Sequence, residues 1–239
     1  MSTSAPRDTP TDLSGGGPDD AGSATRRLVV MDVDSTLITG EVVEMLAERA
    51  GAGELVTEIT ERAMRGEIDF AASLHERVAT LAGLPASVCA DVLAEVELSP
   101  GARELVAEMH ARGWPVGLVS GGFVEIVEPL AQSLGIRLVR ANRLEVADGL
   151  LTGRVAGPVV DRAVKAQTLR EYAASVDVPL ERTIAIGDGA NDLDMLATAG
   201  FGIAFNAKPL IAAAADAVVH ERLDAVLDLP VFAHPPREA

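Results

Sequence analysis

Leu28-Val29-Val30-Met31-Asp32-Val33-Asp34-Ser35-Thr36-Leu37 decides how this chain folds. Four apolar residues run together and stop at two aspartates one residue apart. A short, uninterrupted apolar run is what a strand buried on both faces of a parallel sheet requires. Asp32 and Asp34 then fall at the strand's carboxyl end, where open α/β sheets bind their ligands. Two carboxylates so close repel each other unless a cation or a shared proton relieves them. Mg²⁺ suits the position, because it takes one or two carboxylates together with phosphate oxygens. Alone, the stretch also reads as a solvated turn, since Asp is common in turns. The flanking chain decides between the two.

Upstream, residues 1–25 are Ser, Thr, Pro, Gly and Asp with almost no large apolar side chain. Such a segment cannot offset its ordering entropy, so a disordered tail is expected. Downstream, residues 41–96 carry only helical periodicity. Val42, Met45, Leu46 and Ala50 make one face, Val56, Ile59 and Ala63 a second, and Ala71, Leu74, Val78 and Leu81 a third. Pro85 is expected to open a fourth helix bearing Val88, Val92 and Val96. The block reads as a helical module inserted directly after the first strand.

From residue 97 the strand–helix alternation resumes and continues to about residue 229. Ser99 is expected to cap a helix with Pro100 at its first position. Pro115 to Val119 reads as a second strand ending at Ser120-Gly121-Gly122, and residues 137–141 as a third. Two short runs joined by Ala147-Asp148-Gly149 resemble a hairpin. A helix from Asp161 carries Lys165, and Thr183 to Ile186 is a strand closed by Gly187-Asp188-Gly189. The fold expected is α/β: a doubly wound, Rossmann-like parallel sheet (26–40 and 97–229) with an inserted helical cap (41–96) and a small hairpin. Residues 230–239, with three prolines, are expected to be disordered.

The 239 residues carry a formal charge of -16, and 48% are hydrophobic, which is enough for a substantial core. Nucleic acid and anionic membranes are not expected partners, because both call for a basic face. One cysteine, Cys89, excludes an internal disulfide. No apolar run reaches membrane-spanning length, and no basic-then-apolar leader is evident, so the cytoplasm is the expected location.

Four strand or helix ends thus bring polar groups to one rim: Asp32 and Asp34, then Ser120, then Lys165, then Asp188 with Asn191 and Asp192. Each has a plain alternative as a turn residue or a solvated lysine. In order, however, Asp-x-Asp-Ser-Thr-Leu, Ser-Gly-Gly-Phe, a lone Lys and Gly-Asp-Gly-Ala-Asn-Asp resemble the four motifs of the haloacid dehalogenase-like phosphatases. The nearer likeness is to the phosphoserine phosphatase family, whose helical cap is matched in place and length. The likeness covers about 28–227.

The resemblance implies a Mg²⁺-dependent phosphomonoesterase releasing serine from phosphoserine, the last step of serine biosynthesis. It implies Asp32 as nucleophile and Asp34 as acid and base. Ser120, Gly121, Gly122, Lys165 and Asn191 are implied to hold the phosphate. Asp32, the backbone carbonyl of Asp34, and Asp188 are implied to hold Mg²⁺, with Asp192 orienting Lys165. Position 33 is Val where the family often has Phe. Members of the family in many organisms carry a separate regulatory domain; the segment ahead of Leu28 leaves no room for one, so feedback by serine through such a domain is not expected, and a monomer or homodimer is expected.

In the cap, Glu41 matches the residue that binds the substrate amine, and Arg77, in Phe70-x-x-Ser73-Leu74-x-x-Arg77, matches the one that binds its carboxylate. Met64 and Phe70 are implied to wall the pocket. Spacing alone reads Arg77 as a solvated arginine whose stem covers apolar surface. Two rival functions stand beside the first. One is the same chemistry on another small phosphomonoester or with homoserine as acceptor. The other is a catalytically silent phosphate-sensing module.

Overall fold

The computed structural model describes residues 26–64 and 67–233, with the Met64 side chain outside the description. The expected tail at 1–25 lies outside it as well. Six strands form one parallel sheet in the order β3-β2-β1-β6-β7-β8. They are β1 (Leu28–Met31), β2 (Val116–Phe123), β3 (Leu138–Asn142), β6 (Thr183–Gly187), β7 (Phe201–Phe205) and β8 (Ala217–Val219). β1 is buried throughout and alternates its side chains between two apolar layers. Val29 and Met31 enter one, Leu28 and Val30 the other. This explains why the strand reads as a continuous apolar run. Met31 lies level with Leu118 of β2 and Ile186 of β6. The residues just past these three positions therefore reach the rim at similar height. The sheet also grows in opposite directions from β1, which makes that rim a topological switch point.

Among the described residues, the inserted block 41–96 forms four helices: α1 (Val42–Arg49), α2 (Gly53–Met64), α3 (Phe70–Ala79) and α4 (Val88–Glu95). Entry and exit run side by side, with Thr39 N–H donating to Glu97 O at 3.0 Å and Ser99 N–H to Leu37 O at 2.9 Å. Five further helices flank the sheet: α5 (Ala102–Ala111), α6 (Val124–Ser133), α7 (Arg162–Ser175), α8 (Leu193–Thr198) and α9 (Pro209–Ala212). Asp69 and Asp161 cap α3 and α7, accepting from Ala72 N at 2.8 Å and Val164 N at 2.9 Å. No helix among the described residues is long and apolar enough to cross a membrane.

β4 (Leu144–Ala147) and β5 (Leu150–Val155) form the hairpin. Its turn residues Asp148 and Gly149 have φ of 51° and 78°, the left-handed pair that a two-residue hairpin loop demands. Against the hairpin lies a segment that departs from expectation. Pro85 does not open α4; it bridges Leu150 in antiparallel fashion. Gly83 N–H donates to Leu151 O at 2.8 Å, Leu151 N–H to Leu84 O at 2.8 Å, and Ala86 N–H to Gly149 O at 2.9 Å. Residues 83–86 thus lie hydrogen-bonded along the edge of the two-stranded hairpin, and α4 begins only at Val88. At Gly153 (φ 79°) a Cβ would stand 2.9 Å from Ala82 Cβ, so glycine lets β5 cross the end of α3.

Two further expectations are corrected. Ser99 does not cap α5: Leu37 and Leu223 draw residues 99–100 into extended hydrogen bonds, and Gly101, at φ 83°, makes the turn into the helix. Nor is the chain after residue 229 uniformly without structure. Pro230–Phe232 forms a helical turn, and Phe232 is 1% exposed. Its ring lies 5.9 Å from that of Trp114, and its carbonyl accepts from Arg112 Nη1 at 2.6 Å. Composition hides this, because a single aromatic side chain supplies the anchor. Residues 234–239 lie outside the description.

Candidate active site

Lys165, the fourth residue of α7, is fully buried. Its Nζ lies 2.6 Å from Asp32 Oδ2 and 2.7 Å from Asp192 Oδ1. Asp32 Oδ1 accepts from Val33 N–H at 2.7 Å, so both of its oxygens are oriented. Asp192 Oδ2 accepts from Gly189 N–H at 3.0 Å. A Cβ at Gly187 would stand 2.5 Å from the Asp192 carboxyl carbon, so glycine there admits that carboxylate. Asp188 accepts from Thr36 Oγ1 at 3.0 Å.

Oxygens of Asp32, Asp188 and Asp192 lie within 4.8 Å of one another. This all-carboxylate donor set, balanced by one ammonium, fits a hard divalent cation. The side chain of Asp34 points elsewhere. Its Oδ1 accepts from Val42 N–H at 2.8 Å and its Oδ2 from Ser120 Oγ at 3.0 Å. Side-chain geometry therefore groups Asp192 with Asp32 and Asp188, leaving to Asp34 only the backbone carbonyl expected of it.

Ser120 Oγ also accepts from Gly122 N–H at 2.7 Å, which commits that N–H to holding the hydroxyl. A Cβ at Gly122 would come within 2.8 Å of Asp34 Oδ2. Asn142, buried at the end of β3, donates to Gly121 O at 2.8 Å and accepts from Val160 N–H at 2.8 Å. It ties the Ser120 end of β2 to the segment that leads into α7. Thr36 and Asn142 were not singled out from sequence. Thr36 stands inside the first motif and could have been; Asn142 has no local signal.

α1 and α3 face this rim. A Cβ on Gly121 would meet Phe70 Cζ at 3.1 Å, so the first residue of α3 rests on the end of β2 that carries Ser120. Glu41 accepts from Ser35 Oγ at 2.9 Å, with Ser35 held at φ 55° in the turn after β1. Arg77 is only 9% exposed, not a solvated arginine. Its Nε donates to Ser73 O at 3.3 Å, and the charges of Glu41, Glu44 and Asp34 act on it. The Met64 side chain lies outside the described residues. Asn191 is partly buried in the turn before α8, its amide against Gly189, where no Cβ would fit.

The electrostatics follow from burial. Desolvation, then the Asp192 charge, push Asp32 well above the usual carboxylate range despite Lys165. Burial would lower Lys165, but Asp192 and Asp32 outweigh it, and the net shift is upward. Asp34 is raised by burial, against the pull of Val42 N–H and the Ser120 hydroxyl. Burial lifts Asp188 to about 6, and burial with the Asp34 charge lifts Glu41 to about 8. Cys89, raised by burial to about 11, is an inert thiol.

The haloacid dehalogenase-like hydrolase family model matches residues 29–197. Phosphoserine phosphatase SerB2 of Mycobacterium tuberculosis is 59% identical over 206 residues, covering 86% of this chain and 50% of that protein. The phosphoserine phosphatase of Streptococcus thermophilus is 57% identical over 189 residues, covering 79% of this chain and 88% of the relative. The chain spans about half the length of the Mycobacterium protein and of a Streptomyces coelicolor relative. Among solved structures, a substrate-bound phosphoserine phosphatase complex superposes with a TM-score of 0.80 at 38% identity, covering 85% of this chain and 97% of the other. A phospho-aspartyl intermediate analogue of phosphoserine phosphatase gives 0.80 at 39% identity, covering 85% and 98%. With the motifs in order on this sheet and these similarities, the chain belongs to the haloacid dehalogenase-like hydrolases and, among them, to the phosphoserine phosphatase family.

Proposed function

We propose that this protein hydrolyses O-phospho-L-serine to L-serine and phosphate, with Mg²⁺, through an aspartyl phosphate on Asp32. One observation carries the reading: Asp32, Asp34, Ser120, Lys165 and Asp188 meet at a single rim, with Glu41 and Arg77 facing it. The phosphoserine phosphatases among the relatives, and the neighbour solved as a phospho-aspartyl analogue, support it. Residues 41–96 serve in this reading as the cap that selects the substrate.

An oxygen of Asp32 attacks phosphorus, forming an Asp–O–P bond as the bond to the serine oxygen breaks. The departing electron pair stays on that oxygen, which takes a proton from Asp34. Burial favours the protonated form of Asp34 that this step needs. Asp34, now a carboxylate, takes a proton from water as the water oxygen attacks phosphorus, and the Asp32 carboxylate leaves. Ser120, Gly121, Lys165 and Asn191 hold the phosphoryl oxygens, while the Gly122 N–H holds the Ser120 hydroxyl and not the phosphate, and Asp192 fixes the Lys165 ammonium. Asp32, the Asp34 backbone carbonyl and Asp188 would hold Mg²⁺, which would supply the positive charge that lets a carboxylate approach a phosphate dianion. Arg77 takes the substrate carboxylate and Glu41 its ammonium, which also restores the Glu41 charge that burial opposes.

The test is phosphate release from phosphoserine, phosphoethanolamine and p-nitrophenyl phosphate, in the wild type and in Asp32→Asn, before and after chelation. Phosphoserine is expected to be the preferred substrate, with Asp32→Asn inactive and added Mg²⁺ restoring chelated enzyme. No release from phosphoserine with Mg²⁺ present sinks the activity, and equal turnover of all three sinks the choice of substrate.

A further inference from the structure

Several hydroxyls inside the helices of this protein bond back to their own backbone. Thr57 donates to Gly53 O at 3.1 Å, Ser133 to Leu130 O at 2.7 Å, Thr168 to Val164 O at 2.7 Å and Ser175 to Tyr172 O at 2.8 Å. Ser73 in α3 does not. Its oxygen and that of Thr60 are the buried side-chain polar atoms without a hydrogen-bond partner among the described residues. Ser73 is only 1% exposed. A buried hydroxyl without a partner costs stability, and the local carbonyl that could take it is within reach in any helix. A hydroxyl that leaves that carbonyl alone is free for another acceptor.

Its neighbours indicate which one. One turn earlier, Phe70 rests on Gly121 at the phosphate-side end of β2. One turn later, Arg77 Nε reaches back to Ser73 O. The Arg77 stem therefore runs toward the start of α3, as long helical side chains do, and its guanidinium covers the turn that holds Ser73. The terminal nitrogens of Arg77 have no hydrogen-bond partner among the described residues. A carboxylate docked on them keeps lone pairs for a further donor.

We propose that Ser73 Oγ donates a hydrogen bond to the same substrate carboxylate that Arg77 holds, making Ser73 a specificity residue for an α-amino-acid phosphate. This rests on the phosphoserine reading above. The pair acts as charge plus direction: the guanidinium attracts the carboxylate, and the hydroxyl fixes its rotation.

Ser73→Ala in the full chain tests it, with phosphoserine and phosphoethanolamine compared. The second substrate keeps the phosphate and the ammonium but lacks the carboxylate. The variant should lose about tenfold in kcat/KM on phosphoserine, mostly through KM, and less than about twofold on phosphoethanolamine. Its melting temperature should equal or exceed that of the wild type, because the hydroxyl removed satisfies nothing in the fold. Ser73→Thr, which keeps the hydroxyl, should recover part of the phosphoserine loss. Unchanged kinetics on phosphoserine, equal losses on both substrates, or a lower melting temperature would each overturn the assignment. If the wild type itself does not prefer phosphoserine to phosphoethanolamine, the substrate reading fails and takes this one with it. A wild-type preference that Ser73→Ala leaves intact removes Ser73 alone.

Discussion

Replacing Lys165 by methionine isolates what one buried charge does for this fold. Methionine fills a similar volume with a flexible apolar chain, so packing is largely kept. What disappears is the ammonium 2.6 Å from Asp32 and 2.7 Å from Asp192, in a place closed to water. Removing one partner of a buried pair costs about 3–5 kcal/mol, because the other charge is left uncompensated. Here two carboxylates lose the same partner, so the upper value, about 5 kcal/mol, applies. At about 2–4 °C per kcal/mol for a chain of this size, the melting temperature should fall by roughly 10–20 °C in chelator.

The loss should depend on pH with a definite sign. Asp32 is already raised with Lys165 present and rises further without it. A carboxylate raised in the folded state penalises folding progressively as pH climbs from its unfolded value to its folded one, and fully above that. The deficit of Lys165→Met should therefore be greatest at neutral and alkaline pH and shrink in acid. Melting curves across pH measure it. Adding Asp192→Asn should return part of the stability by removing one of the stranded charges. A shift below about 1 kcal/mol, some 2–4 °C, at neutral pH would refute the argument, as would a double variant no more stable than the single one.

Arg77→Ala should reduce kcat/KM on phosphoserine about ten- to a hundredfold while sparing p-nitrophenyl phosphate, as steady-state kinetics on both would measure. Glu41→Gln should have the same selectivity with a smaller loss. Phe232→Ala should destabilise by about 3–5 kcal/mol, seen as a lower midpoint in urea, with activity at low temperature unchanged; a midpoint like the wild type's would mean that the end of the chain is not anchored by that ring.

The central strands β1 and β6 and the polar rim were legible because both strands are buried on both faces and stop just before an aspartate. Leu28–Met31 followed by Asp32 is the clearest case. The motif residues that meet at the rim do so because parallel strands in register end together. What sequence could not supply are partnerships across long separations. Pro85 reads as a helix opener until Leu150 is placed beside it. Phe232 reads as part of a proline-rich end until Trp114 is found under it. Thr36 and Asp188 are 152 residues apart, and neither announces the other. Arg77 is the middle case: its spacing suits a solvated arginine equally well, and only its burial separates the two readings.

The three backbone hydrogen bonds between residues 83–86 and the β4–β5 hairpin have a practical consequence for chimeras. A graft that replaced residues 41–96 alone would leave the edge of β5 without its mate and set a foreign loop against Gly153, where a Cβ has no room. The transplantable module is discontinuous. It comprises the helical insertion together with residues 144–155, and recombination designs that exchange both segments should yield folded hybrids where single-segment swaps aggregate.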